Sequence, residues 1–321
     1  MGTPRLEINL TKLAHNIKTT KSFFGQKGIS ITAVSKVVCG DIDIAKLFTD
    51  EGIEIIADAR IDNIKRMKKA GISARFLLLG PPMLSDIHDI VKYADISNNT
   101  EFDIISKLSI TALNQNTIHE LILMVELGDL REGIMPANLN SFISKVIKLK
   151  GVKIIGLGTN LACFGGIEPD KLKMDLLSKI VNSIEKKFTL KLEIVSGGNS
   201  ANYNWAKDNY NLGRINNLRI GELFFLGREP LHRKNVLQLF TSVFTLIAEV
   251  VELKKKPSIP YGNKGQNAFG ETPFFVKTTS KIRGILGIGK QDVPFEGLKP
   301  FQKIKLMGGS SNHLVFNPNL S

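Results

Sequence analysis

The stretch 31-ITAVSKVVCG-40 decides how the chain is read. Its apolar, β-branched run reads as a buried strand with one lysine, Lys36, at its end. An ammonium among such neighbours is costly, so it needs a partner or a chemical role. A desolvated lysine loses its proton more readily and then attacks an aldehyde carbon. A lysine at a strand end also has a plainer option, which is to snorkel into water. The rest of the sequence has to choose between them.

Outward from this stretch the pattern is an alternation. Residues 5–10 alternate apolar and polar as a half-buried strand, and Thr11 is placed to cap a helix bearing Leu13, Ile17 and Phe24 on one face. Strand-like runs at 31–37, 53–57, 75–79, 94–97, 120–127, 152–157, 192–196 and 217–222 are separated by helical periodicity. About eight strand–helix units predict a closed parallel (β/α)8 TIM-type barrel. An open doubly wound sheet is the competing architecture, but no G-x-G-x-x-G opens the first crossover. After Arg233 helical periodicity stops and short β-like pieces follow, punctuated by Pro257, Pro260, Gly262, Gly265, Gly270 and Pro273. The expected organisation is a barrel over residues 1–233, with 1–10 as a strand joining the second domain, and a smaller all-β domain over 234–321.

With 321 residues, 43% of them hydrophobic and 23% charged, the composition is that of a globular protein. No run approaches a membrane span, and residues 1–9 lack a signal peptide's apolar core. Two cysteines, Cys39 and Cys163, imply no disulfide framework and fit a reducing cytoplasm; neither belongs to a metal-spacing motif, so no metal is expected. The net charge of +13 is spread over helical faces, with 254–256 as a short lysine run. That distribution argues against nucleic acid and for solvated faces with some attraction for anionic ligands such as phosphate.

Catalytic groups of such barrels sit at the C-terminal strand ends. Those loops are polar here: Lys36; Asp58-Ala59-Arg60; residues 126–131, ending in Arg131; Thr159-Asn160; Ser196-Gly197-Gly198-Asn199-Ser200; and Arg219-Ile220-Gly221-Glu222. The loop 196–200 is Gly-rich, ends in a hydroxyl and opens a helix, a combination suited to an anion. An ordinary glycine turn with Ser200 as N-cap has the same appearance. Beside Lys36 and Gly221, phosphate is the better reading.

The stretches SKVVCGD at 35–41, ILMVELGDLREGI at 122–134, GLGTNLACFGG at 156–166, SGGNS at 196–200, NNLRIGE at 216–222 and KKPSIP at 255–260, with GKQDV and SSNHL further on, resemble the alanine racemase-like, fold-type III pyridoxal-phosphate (PLP) enzymes. Within them the ornithine racemase branch is the nearest resemblance. It implies a PLP-dependent racemase of a free amino acid, ornithine or another basic or polar one, working by two-base proton transfer at Cα. It also implies a homodimer in which each β domain caps the partner's barrel.

By that resemblance Lys36 holds PLP covalently and serves as one base. Ser200, with Asn199, Gly221 and Glu222, binds the phosphate; Arg219 faces the pyridine nitrogen, and Arg131 the phenolic oxygen. Ser196 and Asn160 complete the cofactor-binding set. Asn160 stands where alanine racemases carry a histidine, and no residue of 37–40 supplies their phosphate-contacting tyrosine. For the second base, His313 ranks first because an imidazole titrates near neutrality. Tyr261 is the alternative, and Cys163 a third. Two other readings are a lyase resembling D-threonine aldolase and a non-catalytic PLP-binding homeostasis protein. The first needs a C-terminal His and Cys pair, which is missing, and the second is a lone barrel.

Overall fold

The computed structural model describes residues 2–267, 269–275 and 282–318. It divides into two compact units: residues Asn9–Val243, and the first eight residues together with the chain from Phe244 onward.

Strand β1 (Arg5–Ile8) opens the chain. The larger unit then runs α1 (Leu10–Gly25), β2 (Ser30–Val34), α2 (Ile42–Asp50), β3 (Ile55–Asp58), α3 (Ile61–Lys69), β4 (Arg75–Leu78), α4 (Ile87–Tyr93), β5 (Ile96–Asn99) and α5 (Phe102–Asn114). It continues with β6 (His119–Met124), α6 (Pro136–Val146), β7 (Val152–Gly158), α7 (Lys171–Phe188), β8 (Ile194–Ser196), α8 (Asn202–Asp208), β9 (Asn217–Ile220) and α9 (Glu222–Leu226). Strands β2 to β9 form a closed parallel barrel in chain order, sealed where β9 pairs with β2 from Ser30↔Asn217 to Ala33↔Ile220. This is the (β/α)8 barrel that the alternation predicts.

Val34, Leu77, Ile96, Ile122, Met124 and Ile194 pack inside the barrel. Between strands and helices, Phe24, Phe48, Phe224 and Phe225 are fully buried. The Phe48 ring lies 5.9 Å from Phe224 and 6.3 Å from Phe225, which locks α9 against α2. Burial of each such ring contributes roughly 1.5–3 kcal/mol, so the turn that opens α9 rests on a rigid base. Gly156 is required by close approach, because a Cβ there would stand 2.3 Å from the Ile194 carbonyl oxygen on β8.

Three local readings differ from the structure. The N-cap of α1 is Asn9, not Thr11: Asn9 is extended and its Oδ1 accepts the Lys12 N–H at 2.9 Å. Strand β2 stops at Val34, and Lys36–Val38 form a 3₁₀ turn, because Ser35 leaves the extended region and bonds sideways to β3. The β-like pieces expected after Arg233 begin as strands only at Phe244, with β10 (Phe244–Ile247) and β11 (Val250–Lys255).

In the second unit β1 pairs antiparallel with β10, from Arg5↔Ile247 to Ile8↔Phe244. Strand β11 joins β12 (Ile282–Leu286), β13 (Ile304–Gly309) and β14 (Leu314–Pro318) in an antiparallel sheet of order β11-β12-β14-β13. Gly284 lies opposite Phe316, whose ring fills the place of a side chain: a Cβ would meet it at 2.2 Å. No described helix is long and apolar enough to cross a membrane.

One core group titrates. His119 is buried at the start of β6, and its Nε2 is 2.8 Å from Ser97 Oγ on β5. Burial pulls its pKa down from 6.5 to about 4, with the charge of Asp95 opposing. The unfolded chain therefore binds the extra proton first. Its contribution is intact above pH 6.5 and is lost as pH falls from 6.5 to about 4, below which both states are protonated. The expected loss across that window is about 3 kcal/mol at most. Urea midpoints of wild type and His119→Asn, measured every half unit of pH, should differ in slope only there; parallel curves would remove His119 from this role.

Candidate active site

Lys36 leaves the barrel on a stiff base. Ser35 is fully buried, and its Oγ lies 3.2 Å from the Ala57 carbonyl and 2.7 Å from Asp58 Oδ2. Asp58, itself buried, also accepts the Arg60 N–H and the Asn63 side-chain amide, each at 2.9 Å. The lysine side chain is exposed and has no hydrogen bond or ion pair among the described residues. The burial expected from a strand-end position is thus missing, because the strand stops at Val34, two residues before Lys36. What remains is a free amine with a fixed root at the C-terminal mouth.

Next to it, at the ends of β7, β8 and β9, sequence-predicted residues form one bonded cluster. Arg219, on β9, is 4% exposed. Its Nη1 donates to Ser196 Oγ at 2.5 Å, and its Nη2 to the Thr159 carbonyl at 2.8 Å and Asn160 Oδ1 at 3.2 Å. The Asn199 side-chain amide donates to the same Asn160 oxygen at 3.1 Å and to the Leu161 carbonyl at 2.9 Å. Asn160 thus ties three strand-end loops together, a role that its lack of acid–base chemistry does not weaken. Burial pulls the Arg219 pKa down to about 10; nearby Glu132 pushes it up and Arg131 down. At neutral pH it is still a cation.

Ser200 is buried, and its Oγ accepts the Leu223 N–H at 3.3 Å from the first turn of α9. Gly221 stands at the cap of that turn, and a Cβ there would come within 3.2 Å of Val34 Cβ on β2. The Glu222 carboxylate turns away to pair with Arg233, so what Glu222 offers this turn is backbone. Small residues, a hydroxyl and the backbone of Gly221 and Glu222 converge here, which suits an anion.

Arg131 stands apart from the cluster. Its guanidinium forks onto its neighbour Glu132, Nε–Oε2 at 2.6 Å and Nη2–Oε1 at 2.8 Å, and its side chain is partly exposed. His313 and Tyr261 belong to the second unit and are exposed; Asn312 Oδ1, beside His313, accepts from Ser310 Oγ at 3.2 Å.

Two buried groups escaped the sequence reading. Asp129 is 1% exposed, and its carboxylate accepts the N–H groups of Cys163, Phe164 and Gly165 at 3.3, 3.0 and 3.0 Å, which clasps the loop after β7. The Cys163 backbone is part of this clasp, while its thiol is exposed. Asn98, third in β5, is 3% exposed, and its Oδ1 has no hydrogen-bond partner among the described residues. An unmet buried acceptor costs about 1–3 kcal/mol.

Comparison with known proteins places this arrangement. The profile of the alanine racemase N-terminal domain matches residues 8–229. The chain belongs to the alanine racemase family. It is 38% identical over 314 residues to an ornithine racemase of Acetoanaerobium sticklandii, a match covering 97% of this chain and 88% of the relative. It is 36% identical over 319 residues to a lysine racemase of Thermotoga maritima, covering 99% and 89%. An alanine racemase structure from Clostridium difficile 630 superposes with a TM-score of 0.73 at 19% identity, over 99% of this chain and 84% of that one; at that identity the likeness concerns the fold. As a member of the alanine racemase family, the chain is a PLP-dependent amino-acid racemase.

Proposed function

We propose that the substrate is a free basic amino acid, ornithine or lysine, and that PLP is held covalently by Lys36 with its phosphate on Ser200, Asn199 and the backbone of Gly221 and Glu222. The residues fit the group. Lys36 is an amine on a fixed root, unpaired among the described residues, and the Ser200 hydroxyl stands with Gly221, which carries no side chain, at the start of α9. When bound, PLP acidifies the substrate Cα–H and spreads the charge left behind.

The observation that carries the mechanism is the buried Arg219, bonded to Ser196, Thr159 and Asn160. Placed beside the ring nitrogen of bound PLP, its positive charge would disfavour protonation there. That setting would favour return of the proton to carbon over loss of the amino group. Asn160 and Ser196 fix the guanidinium by hydrogen bonds. Arg131, now paired with Glu132, would hold the phenolic oxygen. Lys36 Nζ takes or returns the Cα proton on one side, and His313 does so on the other, with Tyr261 as the alternative. The family resemblance supports a homodimer, and two free thiols support a reducing cytoplasm.

Relatives that act on ornithine and on lysine support the basic substrate. Chiral chromatography of a panel of L- and D-amino acids tests it. Ornithine or lysine should be racemised at least about tenfold better than alanine, the discrimination that roughly 1.4 kcal/mol supplies. Equal or better turnover of alanine would overturn the substrate class. His313→Ala should abolish solvent-deuterium uptake at Cα from one enantiomer; normal exchange from both moves the role to Tyr261.

A further inference from the structure

Asn98 is polar, buried and unused by the roles above. Ile96, two residues before it on β5, packs in the barrel interior with Val34, Leu77 and Met124. Side chains two apart on a strand share a face, so Asn98 also points inward, one layer nearer the C-terminal mouth. Its ladder partner Ile122 is another interior residue. Asn99 faces the other way, and its amide donates to the Ser97 carbonyl and hydroxyl at 2.9 and 2.8 Å.

The registers fix what Asn98 faces. Strands β5 and β9 are four apart in the closed barrel of eight, hence on opposite walls. Stepping from Arg219 across β2, β3 and β4 through Thr32, Ile55 and Arg75 reaches Ala94 on the β5 side. Stepping the other way, across β8, β7 and β6, reaches Phe102. The difference, 102 − 94 = 8, is the stagger of such a barrel, and the midpoint, (94 + 102)/2 = 98, is Asn98. Asn98 and Arg219 therefore occupy the same layer. Arg219 uses three of a guanidinium's five N–H donors on Ser196, Thr159 and Asn160, which leaves donors unused opposite an acceptor with no donor.

We propose that Asn98 is a positioning residue for Arg219: its Oδ1 accepts a hydrogen bond from a water that Arg219 holds from the opposite wall. This strut sets the guanidinium from the side that Ser196 and Asn160 do not reach. Asn98 touches neither substrate nor cofactor in this role.

Asn98→Leu tests it. The side chains have similar shape, so replacing an acceptor that truly has no partner is neutral or stabilising. If the strut exists, Leu strands an Arg219 donor, and the melting temperature of the cofactor-free protein should fall by roughly 3 °C or more. An equal or higher melting temperature would overturn the proposal. Asn98→Asp, which keeps the acceptor, should restore the wild-type value; failure to do so points to packing and also overturns it. A crystal structure at high resolution should place a water within hydrogen-bonding distance of both side chains, and direct apolar packing between them would be contrary. These arms need no cofactor. A kinetic arm rests on the role proposed for Arg219: kcat of Asn98→Leu should fall about tenfold with KM nearly unchanged, and amino-group transfer should take a larger share of turnovers. If wild type neither binds PLP nor racemises, that role fails while the thermal and crystallographic results still decide the strut.

Discussion

Lys36→Ala should lose the visible absorbance of lysine-bound PLP and about four orders of magnitude of racemisation, while melting at the wild-type temperature without cofactor. The first half follows from the role proposed for Lys36, as both covalent anchor and proton-transfer group; a positioned base alone contributes roughly 10²–10⁴-fold. The second half follows from geometry. The side chain is exposed and has no bonded partner among the described residues, so its removal leaves no buried group unmet. The turn itself is held by Ser35 and Asp58, which the substitution leaves in place. The phosphate cradle also survives, so PLP should still bind, more weakly and reversibly, and dialysis should strip it from the variant. Retention of a covalent adduct after dialysis would mean that another lysine is the anchor. A large fall in melting temperature would mean that Lys36 is structural.

How far the sequence foretold this site depends on the range of the interaction. The barrel was legible because each strand and helix carries its own apolar period, and the rim residues were legible because barrels put polar groups at strand ends. Gly221 could be read from its place at a strand end; its closeness to Val34, 3.2 Å from where a Cβ would lie, could not. The exposure of Lys36 could not, since it depends on Ser35 finding Asp58, 23 residues away. Asp129 was one acidic residue in a polar loop until the fold brought Cys163, Phe164 and Gly165 to it. A hydroxyl and an asparagine, Thr11 and Asn9, both cap helices well, and the choice between them rests on where the backbone turns extended. Asn98 is the extreme case: the residue it lies level with on the opposite wall is set by the stagger of the whole barrel, which no local pattern encodes.

Arg219→Gln should separate stability from catalysis. Burial pulls the pKa of Arg219 down to about 10, so burying this cation costs roughly 3 kcal/mol. Its three hydrogen bonds, as bonds to a charged donor, return roughly 1.5–3 kcal/mol each. A glutamine gives up some of those bonds and all of the burial cost, so the two losses largely offset and the melting temperature should move by only a few degrees. Racemisation has no such compensation. On the role proposed for Arg219, a neutral amide would not oppose protonation of the ring nitrogen of bound PLP, and return of the proton to carbon would compete less well. The expected result is a fall in racemase kcat/KM of about 100-fold or more, the scale of losing one preorganised charge at a reacting centre. A higher ratio of amino-group transfer to racemisation should accompany it, read as keto acid formed per turnover. A variant that racemises normally would show the buried guanidinium to be a structural tie for Ser196, Thr159 and Asn160. A variant that loses stability and activity together would leave its charge without a catalytic part, because a broken scaffold accounts for both.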